Sequence, residues 1–198
     1  MNHTDSAASS PRSGPAGSPL RRPLVVFLPL MIGGCLLDLL TKRLMFDWLK
    51  LPSDPQSEIH WVVQDFFGFQ TAVNQGALFG IGQGMTVLFV TISLFAIAVI
   101  IGWIIKGSQQ TMLLTISLGL ISAGILGNLY DRLGCWHIGV EIQETLKYGV
   151  RDWILFDFGF YKWPNFNLAD SYLVCGAGIL VWEAFQIPAD SGTKNRDK

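Results

Sequence analysis

The chain has three cysteines in 198 residues, widely spaced and without a C-x-x-C pair, which excludes a disulfide framework and a zinc ribbon. Three histidines fall outside metal-ligand spacing. The run Cys135-Trp136-His137 offers at most two ligands where zinc takes three or four, so no metal site is expected. Charge is also scarce, at 15% Asp, Glu, Lys and Arg with a formal net of −1, and this removes the basic surface that nucleic acid binding needs. What fills the chain is apolar: half of its residues. The length suits one domain and the composition a membrane protein.

Residues 1–22 are rich in Ser, Pro, Gly and Ala and cannot bury enough apolar surface to fold, so they read as a disordered tail. Pro23 to Leu40 is an apolar run of about 18 residues, near the length that crosses a hydrocarbon core. Arg21, Arg22, this run and Ile32-Gly33-Gly34-Cys35 together look like a cleavable lipoprotein signal. The apolar character continues past Cys35 and three more runs follow, which favours an uncleaved helix. Spans are expected at about 23–41, 85–105, 111–129 and 168–187, with a tail at 188–198. The fold class is an α-helical membrane protein of four transmembrane helices. The segment at about 46–84 holds two strand-like runs, 61–64 and 66–73, and predicts a small sheet on the membrane surface. The segment at about 131–165 predicts a loop whose Trp136, Tyr148, Trp153, Tyr161 and Trp163 sit at headgroup level. Four spans put both termini on one side, which Arg21, Arg22, Lys106 and the basic tail mark as cytoplasmic. Both longer segments are then extracytoplasmic.

The stretch 163–171 runs into the last apolar run and places Asp170 at the mouth of a membrane helix. A carboxyl group there loses hydration and persists only with a partner, a proton or a function. Asp152, eighteen residues earlier, is the expected partner and Asp157 its rival. Two carboxylates sharing a site do not easily both ionise, so one keeps a proton as acid while the other activates water, as in aspartic proteases. Three more polar clusters lie at the same ends of the spans. Asp38, Thr41 and Lys42 share a helix face, where Asp38 and Lys42 pair. Asn74-Gln75-Gly76 heads a turn that runs on to Gly80. Asn128 and Asp131 lie one turn apart, and Arg132 suits a bidentate pair with a carboxylate. A small transporter with Asp38, Asp131 and Asp170 as proton relays is the alternative, but it predicts acids spread through the membrane thickness.

In order, Asp38-Leu39-Leu40-Thr41-Lys42, Asn74 to Gly80, Gly127-Asn128-Leu129-Tyr130-Asp131-Arg132, Val150 to Ile154 and Phe166 to Ser171 resemble the motifs of the lipoprotein signal peptidases, or signal peptidase II. The resemblance covers roughly residues 24–185. It implies a bacterial inner-membrane aspartic endopeptidase that removes the signal peptide of diacylglyceryl-modified prolipoproteins, cutting before the lipidated cysteine. It further implies a catalytic pair at Asp152 and Asp170, with Asn74, Gly76, Asn128, Arg132, Asn167 and Ala169 binding substrate or supporting the pair. The roles of Asp38, Lys42 and Asp131 are structural. Inhibition by globomycin, no cofactor, contact with membrane lipids and a monomeric state complete the expectation. Two features depart from the family pattern: a long stretch 133–149, and Arg151 where an aliphatic residue is common.

Overall fold

A computed structural model describes residues 21–76, 82–106, 111–137 and 142–186. The expected tails, apart from Arg21 and Arg22, and the turn residues 77–81 lie outside them. Four helices form a bundle: α1 (Arg21–Leu49), α2 (Thr86–Lys106), α3 (Met112–Arg132) and α4 (Leu168–Gln186), each long and apolar enough to cross a membrane. Three strands, β1 (His60–Val63), β2 (Phe67–Asn74) and β3 (Val150–Phe156), form one antiparallel sheet in the order β1-β2-β3.

Helix α1 runs about two turns past the expected end of its span. At roughly 1.5 Å per residue its 29 residues exceed a hydrocarbon core of about 30 Å. The extra turns carry the exposed pair Arg43 and Asp47, 3.8 Å apart, on one face and the buried Phe46 and Leu49 on the other. Lys50, at φ 68°, takes the left-handed conformation that stops a helix. Its carbonyl accepts the Thr71 hydroxyl at 2.8 Å, which ties the helix end to β2.

Helix α3 is the axis of the bundle. Small residues let its neighbours close in: a Cβ at Gly119 would lie 3.0 Å from Leu30 of α1, and one at Gly124 would collide with the Ala169 carbonyl of α4. Ser117 donates to the Gly176 carbonyl at 2.6 Å. Gly119 therefore serves the contact with α1 and Gly124 the contact with α4. Helix α2 covers the remaining flank, with Ile100 and Ile104 packed on Phe27.

The third strand corrects the expected headgroup loop. Val150, Arg151, Asp152, Trp153 and Leu155 are all buried: β3 pairs with β2 on one edge, meets the segment around Phe166 on the other, and packs against α1 and α3. A strand covered in this way has no polar–apolar alternation to report it. Trp153 belongs to this core and packs 5.5 Å from Phe69, while Tyr148, Tyr161 and Trp163 remain exposed.

Candidate active site

The C-terminal ends of α1 and α3, the N-terminal ends of α2 and α4, and the sheet meet at one end of the bundle. Asp38 and Lys42 project from one face of α1 and are fully buried. Lys42 Nζ lies 2.8 Å from Asp38 Oδ2, 3.1 Å from Asp131 Oδ2 and 3.0 Å from Asn128 Oδ1. One ammonium thus serves two carboxylates and an amide, and all three of its hydrogens have acceptors. Asp38 Oδ1 accepts the Ala169 N–H at 2.9 Å, so the first cluster also holds the start of α4.

Asp131 takes its cation from an unexpected place. Arg151 donates to Asp131 Oδ1 from Nε at 3.0 Å and from Nη2 at 2.7 Å, and its backbone N–H reaches Asp131 Oδ2 at 3.0 Å. Arg132, expected to form such a bidentate pair, instead donates from Nη2 to the Gly76 carbonyl at 2.9 Å and lies 4.5 Å over the Phe89 ring. Its buried Nη1 finds no hydrogen-bond partner among the described residues. The Gly76 N–H donates to Asn74 Oδ1 at 3.0 Å and closes the turn on itself.

Asn167 is fully buried and joins the two acids. Its Nδ2 donates to Asp152 Oδ1 at 2.6 Å, and its Oδ1 accepts the Asp170 N–H at 3.0 Å. The Asp170 carboxylate returns the contact, accepting the Asn167 N–H at 3.3 Å and Asn128 Nδ2 at 2.8 Å. Residues Asn167 and Asp170 therefore form a reciprocal cap on the first turn of α4, which fixes the Asp170 side chain while satisfying free N–H groups. Asp152 comes from β3, opposite Ala72 and two residues from the Asn74–Val150 pair, and is 1% exposed. Burial first, then the neighbouring Asp170 charge, holds its carboxyl well above the usual carboxylate range. Lys42 and hydrogen bonds from Asn167 and Asn74 pull the other way.

Asp157, the rival, is elsewhere. It lies one residue past β3, at the far end of the sheet, where Oδ1 accepts the Gly159 N–H at 2.9 Å in a local turn. Every other candidate site residue joins the cluster, Ala169 through its N–H and its lack of bulk. Arg151 is the member that sequence reasoning passed over. The signal available was a basic residue beside the proposed acid in a chain where the acid Asp131 also needs a counter-charge. Among the described residues no group of three His, Cys, Asp or Glu side chains is arranged to hold a metal ion.

Two carboxyl groups linked through Asn167, one of them buried and kept toward its protonated form, gather at one end of the bundle, an arrangement able to support acid–base chemistry. The relatives give the family. Residues 30–186 match the model of signal peptidase (SPase) II, and the chain belongs to that family. It is 44% identical over 162 residues to the lipoprotein signal peptidase of Rhodopirellula baltica, covering 81% of this chain and 71% of that one. It is 36% identical over 152 residues to the lipoprotein signal peptidase of Clostridium novyi, covering 76% and 91%. The fold matches a bacterial membrane enzyme solved by the in meso method at 2.3 Å resolution, with a TM-score of 0.70 at 22% identity over 88% of this chain and 96% of that chain.

Proposed function

We propose that Asp152 and Asp170 are the catalytic pair of an aspartic endopeptidase that removes signal peptides from lipid-modified prolipoproteins, cutting before the lipidated cysteine. Lipoprotein signal peptide cleavage is the activity of the family; the assignment of roles rests on the single amide of Asn167, which touches both acidic residues.

Asp152, held toward its protonated form, is the acid, and Asp170 the base. Asp170 takes a proton from water as the water oxygen attacks the scissile carbonyl, and Asp152 gives its proton to the carbonyl oxygen. The resulting gem-diol collapses when Asp170 passes its proton to the leaving amine nitrogen and Asp152 recovers one from a hydroxyl group. One water is consumed and both acids return to their starting states. The spare Nη1 of Arg132 and the turn of Asn74 and Gly76 are placed to orient the peptide, and Asn128 holds the base. Asp38, Lys42 and Asp131 brace the helix ends.

The site lies at the outer face of a bacterial inner membrane with both termini cytoplasmic. Lys106 and the start of α1, which carries Arg21 and Arg22, are at the bundle end opposite the acids, in keeping with positive-inside topology. The domain is 23–187, flanked by tails, and works as a monomer in contact with lipid. The transporter reading is not favoured: Asp38 and Asp131 already have buried counter-ions, and the acids gather at one end instead of spanning the bundle.

Asp152→Asn and Asp170→Asn are each expected to abolish globomycin-sensitive cleavage of a lipidated prolipoprotein in detergent, while keeping a cooperative thermal transition. Activity retained in Asp152→Asn and lost in Asp157→Asn would move the assignment to Asp157.

A further inference from the structure

Arg151 is the only basic residue of β3, is 5% exposed, and immediately precedes Asp152. Its peptide and side chain are gripped from three elements. On α3, Asp131 accepts its N–H and two guanidinium nitrogens at 2.7–3.0 Å. At the head of α4, Asn167 Nδ2 donates to its carbonyl at 3.3 Å, from the same nitrogen that bonds Asp152. From the helical turn Cys135–His137, Trp136 lays its ring 5.2 Å from the guanidinium carbon and in turn meets Phe46 of α1 edge-on at 6.1 Å. Asp170 is anchored by Asn128 and by Asn167 in the first turn of its own helix, and Asn167 also bonds Asp152. The spacing of the two acids therefore depends on where β3 sits against both the head of α4, through Asn167, and α3, and Arg151 makes the contact to α3.

We propose that Arg151, clamped between Asp131 and Trp136, is a positioning residue that sets Asp152 against Asp170, with the helical turn Cys135–His137 supplying one jaw of the clamp. The inference rests on the reading of Asp152 and Asp170 as the reacting pair. A guanidinium is suited to this task because it presents several donors in one plane to Asp131 and a flat face to Trp136; an ammonium at the same place offers charge without the fork.

The role also has an electrostatic signature. Among the described residues, the charged and titratable groups of this cluster are Asp131 and Arg132 on α3, Lys42 and Asp38 on α1, Asp170 on α4, and Asp152 on its own strand, with His137 beside Trp136. Without the guanidinium, one buried positive charge next to Asp152 is gone and the negative charge of Asp131 is offset by Lys42 alone. The carboxyl then keeps its proton to higher pH, and the pH–rate profile moves upward.

The test uses full-length enzyme in detergent with a lipidated prolipoprotein, reading kcat, KM, the pH–rate profile and the thermal midpoint. Asp152→Asn checks the underlying reading: if it still cleaves, that reading fails whatever Arg151 does. With Asp152→Asn inactive, Arg151→Leu is expected to lower kcat by about 10-fold to 100-fold, with KM within about twofold and the profile shifted to higher pH. Arg151→Lys restores the profile but not the full kcat. A folded Arg151→Leu enzyme with parental kcat and profile, or with its loss confined to KM, overturns the proposal. Should Arg151→Leu not fold, Trp136→Leu decides: a kcat about threefold to tenfold lower supports the clamp, and an unchanged kcat overturns it.

Discussion

Helices α2 and α3 are consecutive and each has 21 residues, yet they meet their surroundings in opposite ways. Helix α2 is the most apolar of the four and buries only Ile100 and Ile104, leaving Val87, Phe95 and Trp103 exposed. Helix α3, less apolar, buries nine residues, all but Ala123 and Leu129 being glycine or polar. In water this ordering would be inverted. In a bilayer the lipid is as apolar as leucine, so large apolar side chains gain nothing from the interior, and the interior goes to residues that pack closely or pair their polar groups. The less apolar helix of this pair therefore carries Asn128, Asp131 and Arg132 into the site, and the more apolar one faces lipid.

The contrast breaks most visibly at Lys42. Lys42→Met strips Asp38 and Asp131 of their shared ammonium, and a loss of about 3–5 kcal/mol is expected in detergent unfolding. A loss below about 1 kcal/mol would mean that the polar end of α3 is no more dependent on its partners than the flank of α2.

The pH dependence of Asp152→Asn extends the comparison to the strand beside α3. Because the folded-state value of Asp152 is raised, the folded chain holds a proton that the unfolded chain releases above about pH 4. Stability is lost as pH rises from there through the folded-state value, at about 1.4 kcal/mol for each unit of the shift. Asp152→Asn should thus unfold near the parental temperature at pH about 4 and above it at pH 8. A parent as stable as the variant at both values would show that burial does not tax this carboxylate.

The smallest effects come from paired glycines. Gly124→Ala drives a methyl into the Ala169 carbonyl and to 2.7 Å from Leu173, and should cost about 1–3 kcal/mol. Gly102→Ala on α2 meets nothing within 4 Å and should cost nothing, raising stability by up to about 1 kcal/mol. Equal costs at the two positions would remove the distinction between the helices.

Much of this arrangement was legible beforehand. The four spans and the hairpin of β1 and β2 announce themselves because hydropathy and strand propensity are local properties of short segments. The residues now gathered at one end of the bundle, Asp38, Lys42, Asn74, Asn128, Asp131, Asn167 and Asp170 among them, were readable as polar interruptions at span ends. Strand β3 was not, since Arg151 and Asp152 disguise its apolar run and burial removes its alternation. Nor was the exchange of partners in which Asp131 pairs with Arg151 while Arg132 turns to Gly76.

By itself, then, the sequence determined that the chain spans a membrane four times and which acids and amides stand where spans meet the surface, because bilayer thickness acts on contiguous residues. Only the tertiary structure decided that Asp152, and not Asp157, stands beside Asp170, and that Arg151 pairs with Asp131 of α3. Charges on different elements choose partners by distance and desolvation in space, and separation along the chain carries neither.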